Sequence, residues 1–545
     1  MMKLIPSLRL HKRFILTLLF LFVFIWSLSS VRWNAELYHA GGIPTMLQIV
    51  EGLIQPNLDP GILLVGLESA WITLAYAVAG MSLAIIYAFI AGVLASGTLT
   101  SSKFSRIFSK VVFRGILGFT RSIHELIWAW LFVAAVGLSP FAAIFALAIP
   151  YGGILGRIFA DMLTDVPEQP IMALKSAGSS RLQTLIYGYL PLVWADFISY
   201  TMYRFECAIR SSAIMSFVGL GGLGFQIQLA LADLKYNSVW TYVFFLIALV
   251  IFVDSWSNFV RGGLTDHKRR KGFGNGWFSV LFSLVLIVSS WVYITLAEKA
   301  NLFELLSERN LEYAKKFFGG LFGVDQENPA FLNGESWTAA LKLTLETLEM
   351  SIMAIGFATV VAFITVIPAA RNIANGSLTL KKSWLNWILF GFIRLTYIFS
   401  RAVPELVWAM MIIFIFKPGI LPGALALALH NFGILGKLWA EVIEDMDPRP
   451  IRNLSTSGAS KIEIMFYGIL PIVLPRFLTY ILYRWEVIMR TTIVVGFVGA
   501  GGLGMDFKLA MSYFDYTQIT LLLLCYMILV ILADLASETT RKAVK

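Results

Sequence analysis

The stretch from Arg121-Ser-Ile-His-Glu125 to Gly224 returns from Arg401 to Gly504, with every matched residue 280 positions further along and no gap. The matched residues are mostly charged residues, glycine and proline. Shared hydrophobicity alone does not align residues of these types. The chain is therefore predicted to contain two copies of one structural unit.

The composition is that of a membrane protein. Hydrophobic residues make up 58% of the 545 residues, charged residues make up 14%, and the mean hydropathy is +0.76. About 20 apolar residues cross a hydrocarbon layer of about 30 Å as a helix. Stretches of this kind run near 14–30, 69–95, 113–137, 140–160, 192–218 and 236–258, and then near 274–297, 340–367, 387–416, 418–440, 472–498 and 517–536.

These stretches predict an all-α polytopic membrane protein with about twelve transmembrane helices in two tandem six-helix repeats. The first repeat is predicted over 1–260 with its core at 65–260, and the second over 273–545 with its core at 340–540. A basic cytoplasmic linker, 261–272, joins them. No small-residue cleavage site follows the first stretch, which we expect to be a retained anchor.

Lysine and arginine are concentrated in a few connecting segments. They precede the first stretch (Lys3, Arg9, Lys12, Arg13), follow the second (Lys103, Arg106, Lys110, Arg114), join the repeats (Arg261, Lys268, Arg269, Arg270, Lys271) and end the chain (Arg541, Lys542, Lys545). The positive-inside rule therefore predicts a multi-pass protein with both termini in the cytoplasm. Topology accounts for the net charge of +10, and a nucleic-acid partner is not expected. Cys207 and Cys525 are too few for a disulfide framework.

The repeat preserves one long connecting segment, near 162–191 and 442–471. It contains a small residue before a glycine, a short amphipathic stretch, a second glycine and then Leu-Pro. This order predicts two brief helices joined at a glycine hinge, with the proline where the chain re-enters the membrane. The residues concerned are Ala177, Gly178, Gly188 and Pro191, and Ser457, Gly458, Gly468 and Pro471.

This segment resembles the cytoplasmic coupling loop of binding-protein-dependent ABC importers, in which glycine and Leu-Pro have the same spacing. It departs from that signature before the glycine, where Leu174-Lys-Ser-Ala177 and Leu454-Ser-Thr-Ser457 replace the usual acidic and alanine residues. Further along, Tyr203-Arg-Phe-Glu206 and its repeat Tyr483-Arg-Trp-Glu486, each followed by a glycine run, resemble the phosphonate-importer permease branch of that superfamily.

The resemblance implies a type I ABC importer permease fold in the inner membrane of a bacterium, carrying phosphonate, phosphite or phosphate. It implies two partners: a dimer of cytoplasmic ATP-binding subunits and a periplasmic or lipid-anchored solute-binding protein. The chain itself is not expected to be an enzyme or to hold a cofactor or metal, because it contains no Gly-x-x-x-x-Gly-Lys-Ser/Thr motif and its five histidines show no ligand spacing. The alternative is a twelve-helix secondary transporter of an anionic solute.

The glycine runs match a dinucleotide-binding fingerprint only by letter, because they follow membrane helices rather than strands. We expect them to form a gate or kink. They comprise Gly219, Gly221, Gly222 and Gly224, and Gly499, Gly501, Gly502 and Gly504.

Charged residues inside the spans are candidates for the substrate pathway, because burying them in lipid is costly. On a helix starting near Pro191, Tyr203, Glu206 and Arg210 share one face, and Glu206 and Arg210 are spaced to neutralise each other. Arg204 points elsewhere, and it is expected either to pair with Glu125 or to attract the substrate together with Arg484. The same pattern holds for Tyr483, Glu486 and Arg490, and the set is completed by Arg121, Arg401 and Glu405.

Overall fold

The computed structural model describes residues 5–31, 33, 37–39, 41–265, 273–301, 303, 305, 307–324, 326–376, 384–460 and 463–544. Within these ranges the chain is helical, and extended pairing is confined to one isolated bridge between Tyr38 and Phe416. Most of the predicted linker, 266–272, lies outside the described residues, as do Lys3 and Lys545. Contacts divide the chain into two compact units, Glu51–Gly320 and Met1–Val50 with Leu321–Lys545.

Helices α1 (Ile5–Ser29) and α2 (Gly42–Ile54) come first in the chain. The helices that follow, up to residue 320, are α3 (Pro60–Ser96), α4 (Lys103–Ser122), α5 (Glu125–Val136), α6 (Pro140–Thr164), α7 (Glu168–Ser176), α8 (Leu190–Met215), α9 (Leu223–Ala232), α10 (Tyr236–Thr265) and α11 (Phe273–Val292). Helix α3 packs along α6. Their backbones can approach closely because Gly92 has no Cβ atom. A Cβ atom there would lie 2.8 Å from the Gly156 carbonyl oxygen.

The rest of the chain repeats this order. It contains α12 (Glu308–Leu321), α13 (Gly334–Val366), α14 (Trp384–Ala402), α15 (Glu405–Ile413), α16 (Ile420–Glu444), α17 (Arg449–Thr456), α18 (Leu470–Val495), α19 (Gly502–Ser512) and α20 (Tyr516–Val544). Helices α13, α16 and α18 surround a core that includes Met353, Leu427 and Ile488, each fully buried.

The first helix of each predicted repeat packs against a helix of the other repeat. Helix α1 packs on α13, where Phe24 lies edge-on to Phe357 with ring centroids 5.6 Å apart. Helix α11 packs on α3, and Trp291 donates a hydrogen bond to Ser82. The predicted repeats, 1–260 and 273–545, follow the duplication in the sequence. The compact units have different boundaries because each of these two helices packs away from the repeat to which it belongs in sequence.

Eight helices among the described residues have the length and composition to cross a membrane, or up to eleven if each bent pair counts as one span. The predicted first span is represented by a shorter apolar helix, Ile15–Ser29. The stretches 113–137 and 387–416, predicted as continuous spans, are broken instead. Helices α4 and α5 meet at 90°, and α14 and α15 meet at 91°.

The break has a local cause in each copy. His124 is extended, and its ring nitrogen Nδ1 accepts a hydrogen bond from the Leu126 N–H, which begins α5. The equivalent residue is Pro404, which disfavours helical geometry in the residue before it. Both new helices start with a glutamate, whose negative charge is favourable at a helix N-terminus.

The preserved connecting segment also differs from the prediction. The first brief helix is α7, which ends at Ser176, and Gly178 lies two residues later with a φ of +85°. The second is not a separate helix, because Arg181–Gln183 continues through a π-helical turn, Thr184–Tyr189, into α8. Pro191 lacks the N–H that would extend an α-helical ladder, and the π turn precedes it. In the second copy a π-helical turn, Ile464–Ile469, likewise leads into the helix that contains Pro471.

Candidate functional site

Arg204 lies in the middle of α8 among tyrosines. Its Nε and Nη2 atoms donate to the Tyr200 hydroxyl at 3.0 and 2.6 Å. Its guanidinium also lies 5.1 Å from the Tyr200 ring centre and 5.5 Å from that of Tyr203. Tyr203 is 41% exposed within the chain. These contacts orient a permanently charged group within a membrane helix.

Arg484, the equivalent residue on α18, has a different partner. Its Nε donates to Asn431 Oδ1 at 3.0 Å, and Nη2 donates to the same oxygen. Asn431 is fixed in turn because its Nδ2 donates to the Leu427 carbonyl at 2.8 Å. The residue equivalent to Asn431 is Tyr151, whose hydroxyl lies 2.8 Å from Ser211 Oγ. The two repeats therefore preserve the arginine and change the side chain that orients it.

Two largely buried glutamates follow the helix breaks. Glu125 accepts a hydrogen bond from Ser211, and its Oε2 lies 3.6 Å from Nε2 of His124. Glu405 Oε2 likewise lies 3.6 Å from Nε2 of His430, and Nδ1 of that histidine lies 2.9 Å from the Val403 carbonyl oxygen. These contacts give both glutamates polar neighbours, while pairing between Arg204 and Glu125 remains a hypothesis.

The histidine comes from a different position in each repeat. His124 precedes its glutamate in sequence and is equivalent to Pro404, whereas His430 lies on α16 and is equivalent to Pro150. A comparison of aligned positions therefore misses the shared feature. Each repeat nevertheless places one imidazole beside its buried carboxylate.

A second charged cluster joins α18 to α20. Arg490 Nη2 lies 2.7 Å from Glu486 Oε1 and 3.0 Å from Asp534 Oδ1, and Arg541 lies 3.2 Å from Glu486 Oε2. The structure thus contains the predicted Glu486–Arg490 pair and adds two residues that sequence reasoning missed. A signal for them existed, because Asp254 and Asp534, and Arg261 and Arg541, continue the offset of 280 residues.

The first repeat keeps the contact between this glutamate and the arginine of the neighbouring helix. Glu206 Oε1 lies 2.8 Å from Arg261 Nη2, which comes from α10. Arg210 Nη2 donates to Cys207 Sγ at 3.6 Å. Glu206 thus contacts an arginine of the neighbouring helix, in addition to being one turn from Arg210. In the second repeat Tyr483 lies beside Arg541, whose guanidinium is 5.9 Å from the ring centre.

Arg121 and Arg401 occupy the last turns of α4 and α14, directly before the two breaks. A positive charge is favourable at that end of a helix. Each arginine lies four residues before its buried glutamate. The structure therefore brings a positive and a negative side chain to each side of a sharp bend.

The glycine runs form a second break in each copy. The segment ending at Val218 and helix α9 meet at 48°. Gly219, Gly221 and Gly222 have φ values of +90°, +78° and +87°. Gly499, Gly501 and Gly502 have φ values of +104°, +81° and +65°. These are left-handed conformations that favour glycine.

One threonine accepts a hydrogen bond from the chain after each break. Thr73 Oγ1 accepts from the Leu223 N–H and Thr347 Oγ1 accepts from the Leu503 N–H, both at 2.9 Å. Neither threonine was predicted, because α3 and α13 lie outside the gapless part of the repeat. Both contacts fix the start of the helix that follows the glycines.

The glycines of the preserved connecting segment divide into two kinds. Gly178 and Gly458 have φ values of +85° and +87° and open space where a Cβ atom would lie. Gly188 and Gly468 are packed, since a Cβ atom there would lie 2.8 Å from Leu174 and 2.7 Å from Ile451. Ala177 and Ser457 are the C-cap residues of α7 and α17, and Pro191 and Pro471 lie in the first turns of α8 and α18. No cluster of metal-binding side chains occurs among the described residues.

These features define a duplicated helical membrane protein with repeated charged clusters inside its helices and a repeated connecting segment of a short helix, a glycine and a π-helical turn. The model of the family "Binding-protein-dependent transport system inner membrane component" matches residues 88–265 and again 367–544. The chain belongs to this family, as two tandem permease units with a type I ABC permease fold.

Several relatives are named as transport permeases. The chain is 29% identical to the phosphate-import permease protein PhnE of Mycolicibacterium smegmatis, over 85% of this chain and 82% of the relative. It is 32% identical to the phosphite transport system permease protein PtxC of Stutzerimonas stutzeri, over 50% of this chain and 93% of the relative. It is 40% identical to the putative cryptic phosphonate transport system permease protein PhnE2 of Escherichia coli, over 22% of this chain and 97% of the relative. No solved structure gives a significant match.

Proposed function

We propose that this chain forms the complete translocation path of an ATP-driven importer for phosphonate or a related phosphorus oxyanion, phosphite or phosphate. The observation that carries the proposal is the duplicated intramembrane arginine, Arg204 and Arg484, in a chain whose permease relatives are named for phosphate, phosphite and phosphonate. Membership of the binding-protein-dependent family favours this function over a secondary transporter.

The chemistry of the arginines fits such an anion. A guanidinium remains charged in any protein environment, and its planar donors match two oxygens of a phosphorus oxyanion at once. At 1.5 Å per residue, Arg204 lies about 20 Å along the helix that starts near Pro191. A charge held within a membrane helix is expensive and is expected to serve transport.

Two partners complete the proposed importer. A dimer of cytoplasmic ATP-binding subunits would contact α7 and α17, where Tyr187 and Tyr467 in the following π turns are 72% and 78% exposed. Exposed aromatic side chains such as these are typical of surfaces that receive a protein partner. A periplasmic or lipid-anchored solute-binding protein would deliver the anion on the opposite side.

Uptake measurements test the proposed function directly. Cells with and without this chain would be supplied with labelled methylphosphonate, phosphite or phosphate in separate assays. We expect accumulation of at least one of the three anions to depend on the chain. Equal accumulation of all three in both strains would reject the proposal.

We predict that Gly178→Leu with Gly458→Leu uncouples transport while the protein still inserts into the membrane. Leucine disfavours the left-handed conformation by about 1–2 kcal/mol per residue, and its side chain would project into the open space where the ATPase is expected. Co-purification of the ATPase and anion uptake would both be measured. Normal values for the double variant would remove the coupling-loop assignment.

We also predict that segments 31–68 and 298–340 face the periplasm. Leu58 and Leu332 are suitable labelling sites, because their side chains are 67% and 76% exposed. Each would be replaced by cysteine in a chain whose Cys207 and Cys525 are changed to alanine. A membrane-impermeant maleimide should label both positions in intact cells.

The matched control for topology is Met172→Cys on α7, a side chain that is 60% exposed. It should react only after the cells are permeabilised. Labelling in the reverse pattern would invert the proposed orientation and place the termini outside.

A further inference from the structure

A cavity of about 320 Å³ lies between the end of α3, the first turns of α4 and helix α7. Its volume is at the lower end of the range for ligand pockets, about 300–1,000 Å³. Three cationic residues line it, Arg106, Lys110 and Lys175. Hydroxyl groups of Thr98 and Tyr189 also line it, and Glu168 is the one carboxylate among its described lining residues.

The local fold brings two of the cations together. Gly97 ends α3 with φ +69°, and a Cβ atom there would lie 2.9 Å from Cγ of Arg106 and 3.2 Å from Cε of Lys110. Both side chains thus lie against the bare backbone of this glycine. Ser109 Oγ donates to the Leu94 carbonyl at 2.7 Å and fixes α4 against the end of α3.

The second repeat lacks these cations at the equivalent positions. Helices α4 and α14 end at equivalent residues, so their positions correspond, and Arg106, Lys110, Lys175 and Tyr189 correspond to Asn386, Phe390, Ser455 and Ile469. The second repeat has loop charges in its sequence at Lys381 and Lys382, which lie outside the described residues. Membrane topology requires positive charge in the loop, but it does not require three cations around one cavity.

We propose that this cavity binds a phosphate group, either as inorganic phosphate or as the headgroup of an anionic phospholipid. An arginine can engage two phosphate oxygens, and lysines and hydroxyls can donate to the others. Basic pockets between helices at the cytoplasmic side of a membrane suit such headgroups. Because Lys175 and Glu168 belong to α7, an occupant would contact the helix that is proposed to receive the ATPase.

The test uses the chain purified with its ATPase subunits. One sample, in phosphatidylcholine nanodiscs, is titrated with ³²P-labelled inorganic phosphate. Another is extracted from vesicles of phosphatidylcholine and phosphatidylglycerol and examined by native mass spectrometry for retained lipid. The test variant, Arg106→Asn with Lys110→Phe, introduces the side chains of the second repeat. Lys103→Gln removes one charge from an exposed residue of the same helix outside the cavity.

We expect wild type and Lys103→Gln to bind one of the two probes and the double variant to bind it at least about ten-fold more weakly. Saturable phosphate binding identifies the free anion, and retained phosphatidylglycerol identifies the lipid. The same binding should persist in Arg204→Gln with Arg484→Gln, which separates this cavity from the proposed transport site. Absence of both probes from wild type, or equal binding by the double variant, would overturn the proposal. Loss of ATPase co-purification in the double variant would also overturn it and assign the cations to subunit contact.

Discussion

Replacing Gly224 and Gly504 together by alanine should prevent the chain from accumulating as folded protein. A Cβ atom at Gly224 would lie 1.9 Å from the carbonyl oxygen of Ala213, and one at Gly504 would lie 2.1 Å from that of Ile493. These oxygens belong to the backbone of α8 and α18 and cannot rotate away as a side chain can. Overpacking of a well-packed interior costs about 1–3 kcal/mol or more at each site.

The chain provides a matched control for this prediction. Gly115 and Gly118 lie in α4, and no atom beyond the local backbone of that helix lies within 4 Å of the positions that their Cβ atoms would take. Alanine in a helix interior is favoured over glycine by about 0.5–1 kcal/mol, so Gly115→Ala with Gly118→Ala should accumulate normally. Protein in the membrane and a single peak on size-exclusion chromatography are the measurements. A normal yield of the Gly224 and Gly504 variant would show that these contacts relax easily.

Much of the architecture follows from residues whose role is local. Positive φ values at Gly178 and Gly458 are what a glycine hinge requires, and the helical spans follow from apolar length. The helix breaks before Glu125 and Glu405 were not predicted. An apolar run indicates that a segment lies in the membrane, but it does not indicate where the helix bends. Two residues set each 90° turn, Ile123 with His124 and Val403 with Pro404.

The candidate site residues could be predicted from the sequence where the same charged residue occurs in both repeats. Arg204 and Arg484 stand out because a charge is duplicated inside an apolar span. The partner of Arg484 did not, since Asn431 lies 53 positions before it and is matched by a tyrosine in the first repeat. His430 was missed for the same reason, because contacts between helices depend on packing that no aligned position records. Tyr200, the partner of Arg204, lies one turn earlier on the same helix, and that spacing was a signal that sequence reasoning missed.

Replacing Arg204 and Arg484 together by glutamine should reduce anion uptake by at least about a hundred-fold while leaving the amount of protein unchanged. A hydrogen bond to a charged group contributes about 1.5–3 kcal/mol, so losing one at each arginine weakens anion binding by about ten-fold or more per site. Glutamine retains donors for the Tyr200 hydroxyl and the Asn431 carbonyl oxygen, so packing around both positions should survive.

Arg490→Gln, on the same helix as Arg484, is the contrasting variant. It removes a cation that lies 2.7 Å from Glu486 and 3.0 Å from Asp534. Breaking a buried ion pair by removing one partner costs about 3–5 kcal/mol. We therefore expect Arg490→Gln to lower the amount of folded protein, whereas the Arg204 and Arg484 variant should lower uptake alone.

The pairing hypothesis predicts a different pattern for the same experiment. If Arg204 and Arg484 neutralise Glu125 and Glu405, their loss strands two buried carboxylates, and the amount of protein falls together with uptake. Adding Glu125→Gln and Glu405→Gln would then restore both quantities, because no unpaired charge remains. Under substrate contact the paired substitutions cannot restore uptake, since the cations that attract the anion are still absent. Recovery of transport in the fourfold variant would therefore assign these arginines to the scaffold and leave the anion without its proposed site.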